Sequence, residues 1–246
     1  VKVVFGYPGA ANCPIIDKLS FSSIKHILTR NEQGAAHMAS GYARVTKQAG
    51  VCTATSGPGA TNLITGIATA YMDSIPMVAL TGQVATKLIG KDAFQEVDIT
   101  GATLPFTKHS YLIKDGLDIP RVVNEAFHIA NTGRPGPVLI DFPMDLLKKE
   151  FDYPDEDEDV NIRGYKLMGK ANESQVKKVA EAIKGAKKPV ILAGGGVVIS
   201  DATNEFRKFV KETDIPVVST MMGIGILPSD LSLIHISEPT RLDVIS

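Results

Sequence analysis

Residues 51–72 read VCTATSGPGATNLITGIATAYM and contain a strand, a tight turn and a helix in succession. The small and β-branched residues of 51–55 are typical of a buried strand. Gly57-Pro58-Gly59 removes side chains where the backbone must pass close to another group, and proline is favoured in the first turn of a helix. Apolar residues then recur at helical spacing from Leu63 to Tyr71. The stretch predicts a strand-turn-helix unit whose turn grips a flat ligand.

The same alternation of strand and helix patterns extends from Val1 to about Leu147. It predicts an α/β fold with a doubly wound parallel sheet, covered by helices on both faces. The predicted strands are Val3–Phe5, Ile24–Leu28, Val51–Thr55, Met77–Leu80, Lys108–Ile113 and Val138–Asp141. The predicted helices are Gln33–Val45, Gly59–Met72 and Ile119–Ala130. Ligands of such sheets collect at the carboxyl ends of the strands, where Gly6–Ala10, Asn31-Glu32 and Ser56–Gly59 fall.

Composition excludes several classes of function. The 246 residues are 44% hydrophobic, with 26 Lys and Arg against 27 Asp and Glu, so no broad basic field is available for nucleic acid or a membrane surface. No apolar run reaches the roughly 18 residues of a membrane span, and we expect a cytoplasmic protein. Cys13 and Cys52 lie in no metal-ligand or disulfide pattern, so no metal site is predicted.

The composition changes after the first sheet. Residues 148–172 include an acidic run at 155–159 and are predicted to form a linker. A second α/β domain, Rossmann-like and incomplete, is predicted over 173–230, with a glycine turn at Gly194-Gly195-Gly196 that on its own is weak evidence for phosphate binding.

Both ends of the sequence are unusual. The chain begins at Val1 as a strand already under way, so we expect further sequence upstream. Residues 231–241, LSLIHISEPTR, match one reading frame of an adapter used in preparing DNA sequencing libraries. We therefore predict that 231–246 is a non-native tail and that natural sequence stops near Asp230; a genuine amphipathic tail is the alternative.

Glu32 carries most of the functional inference. It stands between an apolar run and the small-residue face of the next helix, where a lone buried carboxylate is costly without a partner. The alternative is a carboxylate in the first turn of a helix, stabilised by the macrodipole and by an Asn31 cap. Spacing alone favours this alternative and leaves the ligand-binding role open.

Eleven motifs together resemble the family of thiamine diphosphate-dependent acetolactate synthase large subunits, from Val1 to Asp230. They stand in the family's order and spacing: FGYPG at Phe5, RNEQGA at Arg30, SGYARVT at Ser40, TSGPGATNL at Thr55, GIATAYMDSIP at Gly66, TGQV at Thr81, DAFQE at Asp92, TKHSYL at Thr107, GRPGPVLID at Gly133, AGGG at Ala193 and STMMGIG at Ser219. The resemblance implies a pyrimidine-binding domain over 1–147 and the start of an FAD-binding central domain over 173–230.

The resemblance also implies a chemistry. Glu32 would be catalytic, because a carboxylate bonded to the aminopyrimidine ring favours the tautomer that activates the thiazolium carbon. Pyruvate would lose carbon dioxide, and its remaining two carbons would join a second 2-oxo acid, pyruvate or 2-oxobutyrate, in branched-chain amino-acid biosynthesis. Gln95 would reach the cofactor's reactive side, and Phe94 and Lys108 would line substrate access. The residues implied to contact FAD are Ser74, Arg134, Gly195, Thr220 and Met221.

The family places the diphosphate and Mg²⁺ ligands in a GDG…N segment that this sequence lacks, and it builds the site between two subunits. We therefore expect a homodimer or higher oligomer, with a regulatory small subunit as a further partner, and no activity from this fragment alone. Ala10, Ala85 and Met144 depart from the family's usual glycine, proline and lysine, which puts loop flexibility and the charge at the site mouth in doubt.

Two alternatives remain open from the sequence. One is another thiamine diphosphate-dependent 2-oxo-acid decarboxylase or oxidase, which would release acetaldehyde or acetyl phosphate in place of acetolactate. The other is a non-catalytic flavin- or nucleotide-binding module, in which changing Glu32 would cost no turnover.

Overall fold

The computed structural model describes residues 1–153, 160–167 and 169–235. The chain divides into two units, Val1–Leu167 and Met168–Ser246. The acidic run at 155–159 and the part of the predicted tail from 236 onward lie outside the described residues.

The strands of the first unit form one parallel sheet. They are β1 Val3–Gly6, β2 Lys25–Leu28, β3 Gly50–Ala54, β4 Met77–Gln83, β5 His109–Leu112 and β6 Pro137–Pro143. Their order across the sheet is β2-β1-β3-β4-β6-β5, and every neighbouring pair is parallel. The predicted doubly wound α/β fold is confirmed, because the strand order reverses between β1 and β3.

The helices of the first unit connect these strands. They are α1 Cys13–Ser20, α2 Glu32–Thr46, α3 Pro58–Asn62, α4 Ile64–Met72, α5 Ile99–Thr103, α6 Ile119–Asn131 and α7 Met144–Leu147. The single helix predicted over Gly59–Met72 is wrong, since α3 and α4 are separate helices. The Leu63 N–H donates to the Ala60 carbonyl at 3.1 Å, and this tight turn seats the Leu63 side chain in the core.

Apolar side chains cover the sheet on both faces. On one face, the buried alanine stripe Ala35–Ala43 of α2 packs with α4 against β3. Small residues are needed there because a Cβ at Gly50 would lie 2.0 Å from the Ala39 carbonyl oxygen. On the other face, α6 packs against β6. All residues of β3 and β6 are buried, as expected for parallel strands covered on both sides.

The second unit contains α8 Glu173–Gly185, β7 Ile191–Ala193, α9 Gly196–Ile199, α10 Thr203–Thr213 and β8 Val217–Ser219. β7 and β8 pair in parallel, and α10 closes their core through Val210. Leu231 and Ile234, at the start of the predicted tail, also pack on this core. In the first unit, Ile162 and Tyr165 pack beside α6, so this part of the predicted linker belongs to that unit. The predicted domain boundaries otherwise remain predictions.

Throughout the described ranges, each helix is too short or too polar to cross a lipid bilayer.

Candidate active site

Glu32 begins α2 directly beyond the carboxyl end of β2. The preceding Asn31 is extended, with φ −155°, and its side-chain oxygen accepts a hydrogen bond from the Gln33 N–H at 2.8 Å. The predicted Asn31 cap is therefore present, which leaves the Glu32 carboxylate for other contacts. Its Oε2 accepts a hydrogen bond from Asn62 Nδ2 at 3.0 Å. The side chain is half-buried, whereas the sequence predicted a buried position, because it lies at the rim of the sheet.

The Gly57-Pro58-Gly59 turn lies beside this carboxylate. A Cβ at Gly59 would stand 3.4 Å from Glu32 Oε1 and 2.8 Å from Thr55 Cγ2. Gly57 has φ +58°, and a Cβ there would approach the Gln95 carbonyl oxygen to 2.7 Å. Both glycines therefore allow neighbouring groups to approach the backbone closely, as predicted. The turn leaves a surface without side chains next to Glu32 Oε1.

The turn after β1 packs against the same edge through Asn12. Asn12 is fully buried, its Oδ1 accepts from the Gly9 N–H at 2.8 Å, and its Nδ2 donates to Thr53 Oγ1 at 3.2 Å. The Ala11 N–H donates to Thr55 Oγ1 at 3.1 Å. The three segments predicted to converge at the carboxyl edge therefore do so. Sequence reasoning missed Asn12, although an asparagine directly before a proline-containing helix is a known start signal.

Phe94 and Gln95 lie on the loop between β4 and α5, residues 84–98, named the Gln95 loop below. The Phe94 side chain is 88% exposed. Gln95 is a non-glycine residue with φ +58°, and its backbone rests on Gly57. The structure therefore brings Gln95 to the turn that also borders Glu32.

A buried carboxyl group anchors the Gln95 loop. Asp141, at the end of β6, is 1% exposed; its Oδ1 accepts from Thr81 Oγ1 at 2.6 Å and its Oδ2 from Gln83 Nε2 at 2.8 Å. Gln83 Nε2 also donates to the Val97 carbonyl at 2.8 Å. Burial raises the pKa of Asp141 to about 7, the two side-chain hydrogen bonds oppose this rise, and the charge of Asp98 adds to it. Sequence reasoning missed this network.

Ser74 and Arg134 lie at the opposite, amino edge of the sheet, before β4 and β6 respectively. Arg134 Nε donates to Ser74 Oγ at 2.7 Å. Arg134 also lines an open pocket of about 240 Å³ with Tyr71 and Lys108. The structure brings these two predicted FAD contacts together and does not bring them to Glu32.

Lys108 lies at this amino edge too. Its ammonium donates to the carbonyls of Ile129 and Thr132, the latter at 2.6 Å, and to the Tyr165 hydroxyl at 3.2 Å. These carbonyls end α6, so the charge satisfies groups that the helix leaves unpaired. Within the first unit the ammonium is held by backbone carbonyls at the opposite edge of the sheet from Glu32, and the role of Lys108 in substrate access stays a prediction.

In the second unit, Gly195, Thr220 and Met221 lie on adjacent turns after β7 and β8. A Cβ at Gly195 would stand 2.9 Å from Met222 Cβ, and the Thr220 N–H donates to the Ala193 carbonyl at 2.9 Å. Met221 is 85% exposed. The structure therefore groups the three predicted FAD contacts of this unit at one edge of its strands.

The departures from the family pattern lie at the carboxyl edge of the first unit. Ala10 is exposed in the turn after β1, and Met144 begins α7 directly after β6. Ala85 has φ −57°, an angle that proline also adopts, so the family's usual proline fits this backbone. Across the described residues, no three His, Cys, Asp or Glu side chains are grouped so that they could hold a metal ion.

Comparison with known protein families agrees with this geometry. Residues 1–102 match the model of the thiamine pyrophosphate enzyme N-terminal TPP binding domain, and residues 176–236 match the thiamine pyrophosphate enzyme central domain. The two matches together cover about two thirds of the chain, in the order in which the structure places its two units. The chain belongs to the thiamine pyrophosphate enzymes.

Three curated relatives of this thiamine pyrophosphate enzyme are named as an acetolactate synthase or as its large subunit. The chain is 54% identical to the probable acetolactate synthase large subunit of Methanocaldococcus jannaschii, over 94% of this chain and 39% of that protein. It is 53% identical to an acetolactate synthase of Mycobacterium bovis, over 93% and 37%. It is 49% identical to the acetolactate synthase large subunit of Corynebacterium glutamicum, over 99% and 39%. The chain spans about two fifths of the length of these relatives.

The matched ranges of the thiamine pyrophosphate enzyme domains divide the predicted site residues. Glu32, Ser74 and Gln95 fall within 1–102, and Gly195 lies with Thr220 and Met221 in 176–236. Lys108 and Arg134 lie between the two matches. The roles of these residues remain predictions.

Proposed function

We propose that this chain is part of an acetolactate synthase large subunit acting in the cytoplasm. In the proposed reaction, pyruvate loses carbon dioxide and its remaining two carbons join the carbonyl carbon of a second 2-oxo acid. Pyruvate or 2-oxobutyrate is the acceptor, and the products lead to branched-chain amino acids. The names of relatives with about 50% sequence identity to this chain support this assignment.

One observation carries the proposal: a half-buried carboxylate borders a turn made free of side chains. Glu32 Oε1 faces Gly59, where a Cβ would fill the space at 3.4 Å. Oε2 accepts a hydrogen bond from Asn62, at the end of the helix that begins in this turn, so the carboxylate is held in place. A flat aromatic ring fits against the side-chain-free turn, and a ring nitrogen that accepts a hydrogen bond fits beside the Glu32 carboxyl group. The residues therefore fit the aminopyrimidine of thiamine diphosphate.

Bound thiamine diphosphate supplies the electron sink for loss of carbon dioxide. The Glu32 carboxyl oxygen would share a proton with the aminopyrimidine ring nitrogen. The Gly57-Pro58-Gly59 turn lets the ring approach backbone, and Gln95 borders the same turn. Phe94, which is exposed in this chain, would help to exclude water once the site is covered.

The remaining cofactors are also proposed. Ser74 and Arg134 in the first unit, and Gly195, Thr220 and Met221 in the second, would contact FAD. The hydrogen bond from Arg134 Nε to Ser74 Oγ orients the guanidinium for an anionic group such as a phosphate. Mg²⁺ would be held with the diphosphate by residues outside this sequence.

A second copy of the subunit is the proposed partner at the carboxyl edge. Large apolar side chains at or beyond the carboxyl ends of β1, β2 and β4 are exposed in this chain, among them Phe94 at 88%, Leu28 at 64% and Tyr7 at 43% exposure. Exposed apolar groups around a polar site are typical of a surface that another chain covers. A regulatory small subunit is a further proposed partner.

The test is Glu32→Gln in the full-length protein, assayed with pyruvate, thiamine diphosphate, Mg²⁺ and FAD. Loss of a carboxylate that holds a proton in the reaction should lower acetolactate formation by about 100-fold or more. Bound flavin, released by denaturation and measured by absorbance, should stay unchanged because Glu32 is not among the proposed FAD contacts.

Glu181→Gln, at an exposed position of α8, is the matched control and should keep full activity. Full activity of Glu32→Gln would contradict the proposed role of this carboxylate. Acetaldehyde or acetyl phosphate as the main product of the wild type would instead identify a related decarboxylase or oxidase.

A further inference from the structure

The Gln95 loop is folded around the carboxylate of Glu96. Glu96 Oε2 accepts hydrogen bonds from the N–H groups of Ala93 at 2.9 Å and Lys91 at 3.3 Å, and Oε1 accepts from Gly90 N–H. The Glu96 N–H in turn donates to the Ala93 carbonyl at 2.9 Å. One side chain thus accepts hydrogen bonds from the N–H groups of Gly90, Lys91 and Ala93. Hydrogen bonds from Ala93 and Gly90 lower the pKa of Glu96, so it is ionised at neutral pH.

These hydrogen bonds stabilise a backbone conformation that short peptides rarely adopt. Gly90, Asp92 and Gln95 have φ of +77°, +53° and +58°. Left-handed backbone is unfavourable for residues with a Cβ, so Asp92 and Gln95 need stabilising contacts to keep it. The Glu96 carboxylate supplies such contacts from within the loop, while Gln83 and Val97 tie its end to Asp141.

The shape of the loop decides where Gln95 lies. The Gln95 Cα and carbonyl oxygen would come within 2.9 Å and 2.7 Å of a Cβ at Gly57, so the two backbones are in close contact. Gly59, two residues on, borders Glu32 Oε1. An altered turn at 90–95 would therefore move Gln95 relative to the Glu32 carboxylate, although Glu96 touches neither residue's functional group.

We propose that Glu96 is a positioning residue that sets the reaction rate by fixing Gln95 over the Gly57 turn. This inference rests on the proposed function, because the rate in question is that of acetolactate formation. Glu96 contacts no reacting atom in this arrangement. Its effect passes through Gln95, and that dependence can be measured.

The test is a double-mutant cycle in the full-length protein with Glu96→Ala, Gln95→Ala and the double variant. Each single change should lower kcat for acetolactate formation by about 10-fold or more, with little change in the melting temperature. The kcat of the double variant should lie within about 2-fold of the kcat of Gln95→Ala, since the effects of residues that act as a unit are not additive. Glu96→Gln, which keeps one acceptor oxygen, should fall between wild type and Glu96→Ala. Glu181→Gln should match the wild type.

Full kcat in Glu96→Ala, or losses that multiply in the double variant, would overturn the proposal. Amide hydrogen exchange of residues 90–93 gives a readout independent of the reaction and should be faster in Glu96→Ala than in wild type. Unchanged exchange would also overturn it. If wild type forms no acetolactate, the proposed function fails and the kinetic role falls with it, while the exchange result still decides whether Glu96 holds the loop.

Discussion

Replacing Asp141 by asparagine should change how the stability of this chain depends on pH. Asp141 is 1% exposed and accepts hydrogen bonds from Thr81 and Gln83. Asparagine has nearly the same shape and does not titrate. Asp141→Asn therefore removes one ionisation from a buried site and changes packing little.

The magnitude follows from the pKa. Burial raises the pKa of Asp141 from 3.8 to about 7, and each unit of difference between folded and unfolded protein corresponds to about 1.4 kcal/mol. Between these pH values the folded protein holds a proton that the unfolded chain has lost, so the free energy of unfolding falls as pH rises. The contribution is fully present below about pH 4 and is lost above pH 7. Between pH 5 and 8 the loss should be on the order of 3 kcal/mol.

Urea denaturation followed by far-UV circular dichroism at pH 5, 6, 7 and 8 measures this effect. The unfolding free energy of wild type minus that of Asp141→Asn should fall by about 3 kcal/mol from pH 5 to pH 8, because only wild type titrates at this site. Asp17→Asn, at an exposed position of α1, should leave the wild-type profile unchanged. Parallel profiles for wild type and Asp141→Asn would refute the argument that this carboxyl group is protonated in the folded chain near neutral pH.

Two further substitutions test the packing at the two sheet edges by urea denaturation. Gly57→Ala should lower the free energy of unfolding by about 2 kcal/mol or more, since φ is +58° and the new methyl group meets the Gln95 backbone. Gly41→Ala, in open space within α2, should raise the free energy of unfolding by up to about 1 kcal/mol. Equal effects at the two glycines would contradict the close approach. Lys108→Met should lower the free energy of unfolding by about 2 kcal/mol, because two carbonyls at the end of α6 lose a charged hydrogen-bond donor. Lys178→Met, at an exposed position of α8, should leave the free energy of unfolding almost unchanged. A neutral Lys108→Met would show that water replaces the ammonium.

The sequence predicted the features that depend on local pattern. All six strands of the first sheet and the helices α2 and α6 were predicted within a few residues, because β-branched runs and helical spacing are visible along the chain. The cap at Asn31 and the glycines at 57 and 59 were also predictable, since few residue types fit such positions.

Features that depend on particular hydrogen-bond partners were not predictable. Lys108, Glu96 and Asp141 are each explained by partners that leave little mark in the sequence, mainly carbonyls, N–H groups and a glutamine on another strand. The break at Leu63 was missed because the spacing of apolar residues runs through this buried position without interruption. The strand order likewise follows from packing.

The predicted contacts of the first unit divide between the two rims of one sheet. β4 spans seven residues, and at about 3.3 Å per residue the rims are on the order of 20 Å apart. Within one copy of the first unit, the strands therefore separate the predicted FAD contacts Ser74 and Arg134 from the Glu32 carboxylate. Substitutions at the two edges share no contact, so their effects on the free energy of unfolding should add.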